Sequence, residues 1–259
     1  MNINILTYET VDSTNNEALK QARLGAAEGL CIVARQQTAG RGRHGRTWVS
    51  EKDAGLYFSI VLRPKIEGKF LPLVTLMAGI AVHDTLQEIG LKPDIKWVND
   101  VLVNERKISG ILAETSETKD GVAVIVGIGI NLKSSNFPPE IADIATSIQE
   151  SSHPYKGGLD AFRGRAGYLL IEDLTETLTK YLSYSYELLN TENGPAAIIN
   201  EWRRRSSYFS GKAVKVTLEN ETITGVTGGL EPNGALRVQK PDGSVVIIQA
   251  GDVERLRAE

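Results

Sequence analysis

The chain of 259 residues sets 29 lysines and arginines against 32 aspartates and glutamates, a formal net charge of −3, with 41% hydrophobic and 24% charged residues. That balance excludes a disordered, collagen-like or fibrous chain, and the slight acidity speaks against a general nucleic-acid binder. Cys31 is the single cysteine, so no intrachain disulfide or cysteine zinc site is available; the most apolar stretches, Leu71–Val82 and Gly121–Leu132, fall short of the ~20 residues that cross a bilayer. The expectation is a cytoplasmic protein without membrane spans, built from one large and one small domain.

In chain order, Thr14 with Glu17 forms a capping-box pattern that makes Thr14 the N-cap of a helix through Ala18, Gln21 and Ala22, stopped by Gly25. Cys31–Ala34 and Leu56–Leu62 read as strands. Leu73, Leu76, Met77, Ile80 and Leu86 recur at helical spacing until Gly90 and Pro93. Ile95–Trp97, Val101–Val103, Lys107–Ala113 and Val122–Ile130 add four strands. The short polar link Asn104-Glu105-Arg106 demands a hairpin, so the sheet is at least partly antiparallel and a pure doubly wound fold is disfavoured. Ser134–Gly158, rich in Ser, Pro and Gly, predicts a long irregular connection. Helices follow over Gly167–Leu189, along Leu170, Leu174, Leu178, Tyr181 and Leu182, and from Pro195 to Arg205, where Arg203-Arg204-Arg205 reads as a solvated helix end. Beyond Ser210, alternating runs at Val214–Leu218, Leu236–Val238 and Val245–Ile248, with hairpin signals Asn233-Gly234 and Asp242-Gly243, predict a small all-β barrel.

The segment Gln37–Trp48 carries the chemistry: three glycines permit close backbone approach, and Arg41, Arg43 and Arg46 concentrate positive charge in an acidic chain. The guanidinium fork suits phosphate and carboxylate, so the expected guest is an anion. The spacing is neither a P-loop nor a Gly-x-Gly-x-x-Gly fingerprint, and on composition alone a solvated basic loop or an RNA patch stays open.

Together with Lys96-Trp97-Val98-Asn99-Asp100, Lys107-Ile108-Ser109-Gly110-Ile111-Leu112 and Val126-Gly127-Ile128-Gly129-Ile130-Asn131, this segment resembles the biotin–protein ligase family, the biotin–(acetyl-CoA-carboxylase) ligases. Four motifs stand in the family's order, and the small C-terminal β-domain is similar too. The resemblance implies an α+β fold: a catalytic domain over residues 1–209 with a mixed, largely antiparallel sheet like that of class II aminoacyl-tRNA synthetases, then an SH3-like β-barrel over 210–259. It implies that biotin and ATP, with Mg²⁺, give biotinyl-5′-AMP, and that a lysine of a biotin carboxyl carrier protein, from acetyl-CoA carboxylase or a related biotin enzyme, takes the biotin. Only twelve residues precede Ser13, so the single-function form without an N-terminal DNA-binding domain is expected. No DNA or membrane partner follows, with homodimerisation through the main sheet an option.

The roles carry over by position. Lys107, Arg41 and Arg43 match the catalytic set that neutralises carboxylate and α-phosphate, with Arg46 in support. Ser13, Thr14, Asn15 and Gln37 match contacts to the biotin head, and Gly40, Gly110, Leu112 and Gly127 the surroundings of ring and valeryl chain. Trp48 matches an adenine-stacking aromatic and Asn131 a group on the adenine edge. Asn99 and Asp100 match positions that place Mg²⁺ or phosphates, Asp100 being the candidate metal ligand, and Arg257 matches an arginine directed at the ATP phosphates. Val98 departs from the proline usual in its motif. Structural alternatives stand beside these: an N-cap for Thr14, strand packing for Leu112, a loop anchor for Trp48 and a turn for Asn99-Asp100. Two rival functions differ in class. A lipoate–protein ligase shares the fold but carries an arginine-arginine and Gly-Gly-Gly motif absent here; a nonenzymatic RNA-binding module is disfavoured by net charge and by an aromatic content of 6%.

Overall fold

Seven strands form the larger sheet of the computed structural model, which describes residues 1–133, 137–151, 167–218 and 221–255. They are β1 (Asn4–Tyr8), β2 (Leu30–Ala34), β3 (Gly55–Leu62), β4 (Pro93–Lys96), β5 (Asp100–Val103), β6 (Arg106–Thr118) and β7 (Gly121–Asn131), in the order β1-β2-β3-β7-β6-β5-β4. Only β1 and β2 pair in parallel, so the sheet is mixed and largely antiparallel as expected, with β1 an unforeseen edge strand. The β5–β6 hairpin turns at Asn104 and Glu105, both with positive φ (51° and 63°), the handedness that two-residue hairpin loops require.

Side-chain alternation assigns the two faces. Ile32, Val61, Ala123 and Ile125 meet Ala18 and Ala22 of α1 (Thr14–Arg23), while their neighbours Cys31, Val33, Ile60, Leu62, Val124 and Val126 enter the main core with α2 (Leu73–Glu88). Helix α2 is buried on nearly every side, because it contacts β4 to β7 and also α4 (Gly167–Leu189) and α5 (Gly194–Arg205). The stripe Leu174, Leu178, Leu182 and Leu189 of α4 is fully buried, as its spacing predicts. The single turn α3 (Ile148–Ser151), turns over 139–144 and a bridge from Ala145 to Lys107 occupy the described part of the expected irregular connection; residues 134–136 and 152–158 of it lie outside the described residues.

Two expectations need correction. Ser13, not Thr14, is the N-cap of α1 and makes no side-chain cap bond; the Thr14 hydroxyl points to Gln37 instead. Arg205 is not solvated: its guanidinium donates to both carboxylate oxygens of Asp84 (2.7 and 2.9 Å) and to Glu201, tying α5 to α2.

The second sheet is antiparallel, β11 (Val245–Ile248), β10 (Leu236–Gln239), β9 (Thr222–Leu230), β8 (Ser210–Thr217), β12 (Asp252–Arg255). Strands β9 and β12 were not expected. Gly234 and Gly243 sit at φ of 87° and 85° in the two predicted turns. Val214, Val216, Leu236, Val238 and Val253 join the same core as α2, and the Trp97 indole N–H donates to the Gly234 carbonyl at 2.9 Å. Among the described residues no helix is long and apolar enough to cross a membrane.

Candidate active site

Helix α1 covers only part of its face of the sheet. Its first turn ends above Ser59 of β3 and Gly127 of β7, leaving Gly110 and Gly129, which pair across β6 and β7, as a floor covered by Trp48 rather than by the helix. Above that floor the segment from Gln37 folds back on itself: the Trp48 amide donates to the Gly40 carbonyl (2.9 Å) and the Gly42 amide to the Arg46 carbonyl (2.7 Å), around a 3₁₀ turn at Arg43–Gly45. Floor and flap enclose a cavity of about 560 Å³.

Lys107 reaches this cavity through a local irregularity. The β5–β6 register shifts between Val101 and Leu102, so that Lys107 and Ile108 together face Leu102. Strict alternation from Gly110 would send Lys107 to the opposite face; the bulge returns it, while Ile108 fills the core. Its ammonium pairs with Asp100 at 2.6 Å, and Lys96 takes the other oxygen of the same carboxylate at 2.9 Å. Burial works to raise the Asp100 carboxyl, but the charges of Lys107 and Lys96 prevail and hold it below its ordinary range. The three groups together retain one positive charge.

Arg43 meets neutral oxygens among the described residues, Asn99 Oδ1 at 3.1 Å and the Gly251 carbonyl at 3.4 Å, so its charge lacks a direct ion pair. Burial lowers its affinity for the proton, and Asp252 and Asp100 act the other way; an arginine still keeps its charge. Arg41 pairs with Glu114 at 2.6 Å and Arg46 with Asp252 of the second sheet.

At the other end, polar groups form one network. The backbone amide of Thr14 and its hydroxyl donate to Gln37 Oε1 (2.8 and 3.2 Å), whose Nε2 donates to Ser50 (2.8 Å). The Asn15 amide donates to the Leu112 carbonyl and to Glu114, and the Ser59 hydroxyl lies within 2.7 Å of both Thr14 Oγ1 and Asn15 Oδ1. Trp48 lies against Gly110 and Gly129, with Lys107 Nζ 5.6 Å from its ring centre; its indole N–H is buried without a hydrogen-bond partner among the described residues.

The cavity therefore gathers Ser13, Thr14, Asn15, Gln37, Arg41, Arg43, Arg46, Trp48, Asn99, Asp100, Lys107, Gly110, Leu112, Gly127 and Asn131. Gly40 is not on its wall: a Cβ there would stand 2.3 Å from the Trp48 carbonyl oxygen, so this glycine lets the flap close on itself. The Asn131 amide donates to the Thr146 carbonyl at 3.0 Å, and the Trp97–Val98 peptide is cis. Arg257 lies outside the described residues. Sequence reading missed Ser59, Glu114 and Asp252; a polar position within or at the end of a β-rich apolar run is the only signal the first two offered.

Residues 7–131 match the model of the biotin/lipoate A/B protein ligase family and residues 209–256 that of the biotin protein ligase C terminal domain. The biotin–(acetyl-CoA-carboxylase) ligase of Paracoccus denitrificans is 34% identical over 245 residues, covering 91% of this chain and 94% of the relative. The chain belongs to the biotin protein ligase family. A family member from Aquifex aeolicus, solved in complex with biotin and ATP, superposes with a TM-score of 0.77 at 30% identity over 98% of this chain and 99% of that one. The bifunctional ligase/repressor BirA of Bacillus spizizenii is 42% identical over 156 residues, 59% of this chain and 48% of that relative, so the match spans about half the length of this family member.

Proposed function

We propose that the chain is an ATP-dependent biotin–protein ligase, and the observation that carries this reading is the meeting of two chemistries in one cavity: the ammonium of Lys107 with the arginine flap, and the hydroxyl–amide network of Thr14, Asn15 and Gln37. The network offers acceptors and donors matched to a ureido ring, beside an apolar wall at Leu112. In the first step a biotin carboxylate oxygen attacks the α-phosphorus of ATP, the bond to the bridging oxygen breaks, and pyrophosphate leaves. Two anions must approach; at an effective dielectric near 20 each cation about 4 Å away offsets on the order of 4 kcal/mol before desolvation. Lys107 and Arg43 face that charge, and Trp48 supplies a stacking surface for adenine. In the second step the uncharged ε-amine of a carrier lysine attacks the acyl carbon, the bond from that carbon to the phosphate oxygen breaks, AMP leaves, and the nitrogen gives up a proton to solvent. A closed flap keeps water from the mixed anhydride meanwhile.

A resident Mg²⁺ does not fit Asp100. Both its oxygens are held by ammonium groups whose summed charge repels a dication, and among the described residues no group of three metal-ligating side chains gathers. Mg²⁺ thus enters with the nucleotide, as part of the substrate.

Residues 1–209 are read as the class II synthetase-like catalytic domain and 210–259 as the SH3-like barrel. The carrier is a biotin carboxyl carrier domain of acetyl-CoA carboxylase or a related enzyme, in the cytoplasm. Homodimerisation along an edge of the larger sheet, whose outer strands are β1 and β4, belongs to the same reading. ATP–pyrophosphate exchange tests the reaction: exchange with biotin supports it, exchange with lipoate alone indicates a lipoate–protein ligase, and no exchange with either removes the enzyme reading.

A further inference from the structure

Glu114 is absent from every motif yet stands where the flap meets the head-group pocket. Its Oε2 accepts from Arg41 Nη2 at 2.6 Å and from Asn15 Nδ2 at 2.8 Å, joining residues 73 and 99 positions away. From there hydrogen bonds continue through Asn15 to Ser59, Thr14, Gln37 and Ser50, and the Ser50 hydroxyl donates to the Trp48 carbonyl at 3.0 Å. The path leaves the flap at Arg41 and re-enters it at Trp48, having passed through the groups assigned to the biotin head. Both ends of the flap are thereby referenced to one pocket.

We propose that Glu114 is a positioning residue that aims Arg41 and Asn15 together, so that filling the head-group pocket sets the cationic flap for the reacting carboxylate. The reason is geometric. A free arginine samples many rotamers, and ordering it on ligand binding costs affinity. Here one guanidinium nitrogen is fixed from behind by a carboxylate, leaving the other donors of the fork for a guest in the cavity that Arg41 lines. The same carboxylate oxygen fixes the Asn15 amide, whose Oδ1 lies 2.6 Å from Ser59. A Gln at 114 could still accept from both donors through its one carbonyl oxygen but without the charge that strengthens both bonds, and an Asp would be one methylene short.

This inference rests on the biotin–protein ligase reading, and the experiment separates the two. Exchange between ATP and pyrophosphate with biotin is measured for the wild type, Glu114→Gln, Glu114→Asp, Arg41→Ala and the Glu114→Gln/Arg41→Ala pair, with melting temperatures and with release of preformed adenylate in each. The expected result is a biotin KM raised about tenfold in both Glu114 variants and faster adenylate release, with kcat changed less. In the Arg41→Ala background the further effect of Glu114→Gln shrinks to the part carried by Asn15, a non-additivity that a purely structural role would not produce. Biotin KM and adenylate release equal to wild type in well-folded variants, or fully additive losses, overturn the inference. Should one variant fail to fold, the other still decides. Absence of biotin-dependent exchange in the wild type would instead remove the underlying reading.

Discussion

The chemistry proposed for Lys107 rests on a buried carboxylate as much as on the amine. Replacing Lys107 by Met keeps the aliphatic stem and removes the charge, leaving Asp100 paired with Lys96 alone. Because Lys107 is one-third exposed and Asp100 keeps a partner, the fold survives. Adenylate formation, followed as pyrophosphate release, should fall by about 10²–10³-fold or more, the scale of losing one charge at developing anionic oxygens. Near-normal release rejects the role. The same pair makes a pH prediction. The folded-state pKa of Asp100 is depressed, so its stabilising charge is present above the unfolded value near 3.9 and is lost as pH falls through the lower folded value. The gap in melting temperature between wild type and Asp100→Asn should therefore be full near neutrality and close below about pH 4. In Lys107→Met, with one ammonium gone and the folded value less depressed, the gap should be smaller and its closure complete at a higher pH; a gap independent of pH contradicts the argument.

At the scale of strands, β6 and β7 act through what they lack. A Cβ at Gly129 would stand 2.4 Å from the Trp48 ring and one at Gly127 2.2 Å from Asn15 Oδ1, so the paired strands offer a flat bed on which the flap aromatic and the head-group amide both rest. Gly129→Ala should lift Trp48 off this bed. Trp97 and Trp202 are buried, so acrylamide quenching of tryptophan fluorescence reports mainly on Trp48 and should rise, together with an ATP KM raised about tenfold for lost stacking. Unchanged quenching disproves the bed. This also shows which parts of the molecule the sequence makes legible. Contiguous motifs announce themselves, and the flap, Lys107 and the glycines of β7, which the structure brings to one cavity, all stand in such motifs. Strand β9 hid because Gly225, Gly228 and Gly229, a residue type depleted in strands, interrupt it although its burial alternates out and in, and β1 hid because its residues are nearly all exposed. Thr14 scored as a cap since a hydroxyl before Glu17 looks the same whether it bonds its own helix or Gln37. Glu114 and Asp252 find their partners 73 and 206 positions away, a distance no local pattern encodes. The bulge that aims Lys107 has no residue signature in Lys107-Ile108-Ser109 at all.

Across the whole molecule, the second sheet is bound to the first by more than a linker. Arg43 donates to the Gly251 carbonyl, Arg46 pairs with Asp252, and the Asn233-Gly234 turn presses on Leu73 and Leu76 of α2 while accepting the Trp97 indole N–H. Residues of both sheets fill one hydrophobic core, so the two should unfold together. Trp97→Phe tests this, since it removes a buried donor, strands the Gly234 carbonyl and leaves a gap in the core. The cost should be about 2–3 kcal/mol, lowering the melting temperature on the order of 5–10 °C for a chain of this size. If the sheets form one cooperative unit, calorimetry shows a single transition before and after the substitution, displaced as a whole. Two independent units would show two transitions, and the substitution would split them further. A single transition also makes the flap sensitive to the second sheet, because Arg43 and Arg46 hold on to residues that can only be in place when that sheet is folded.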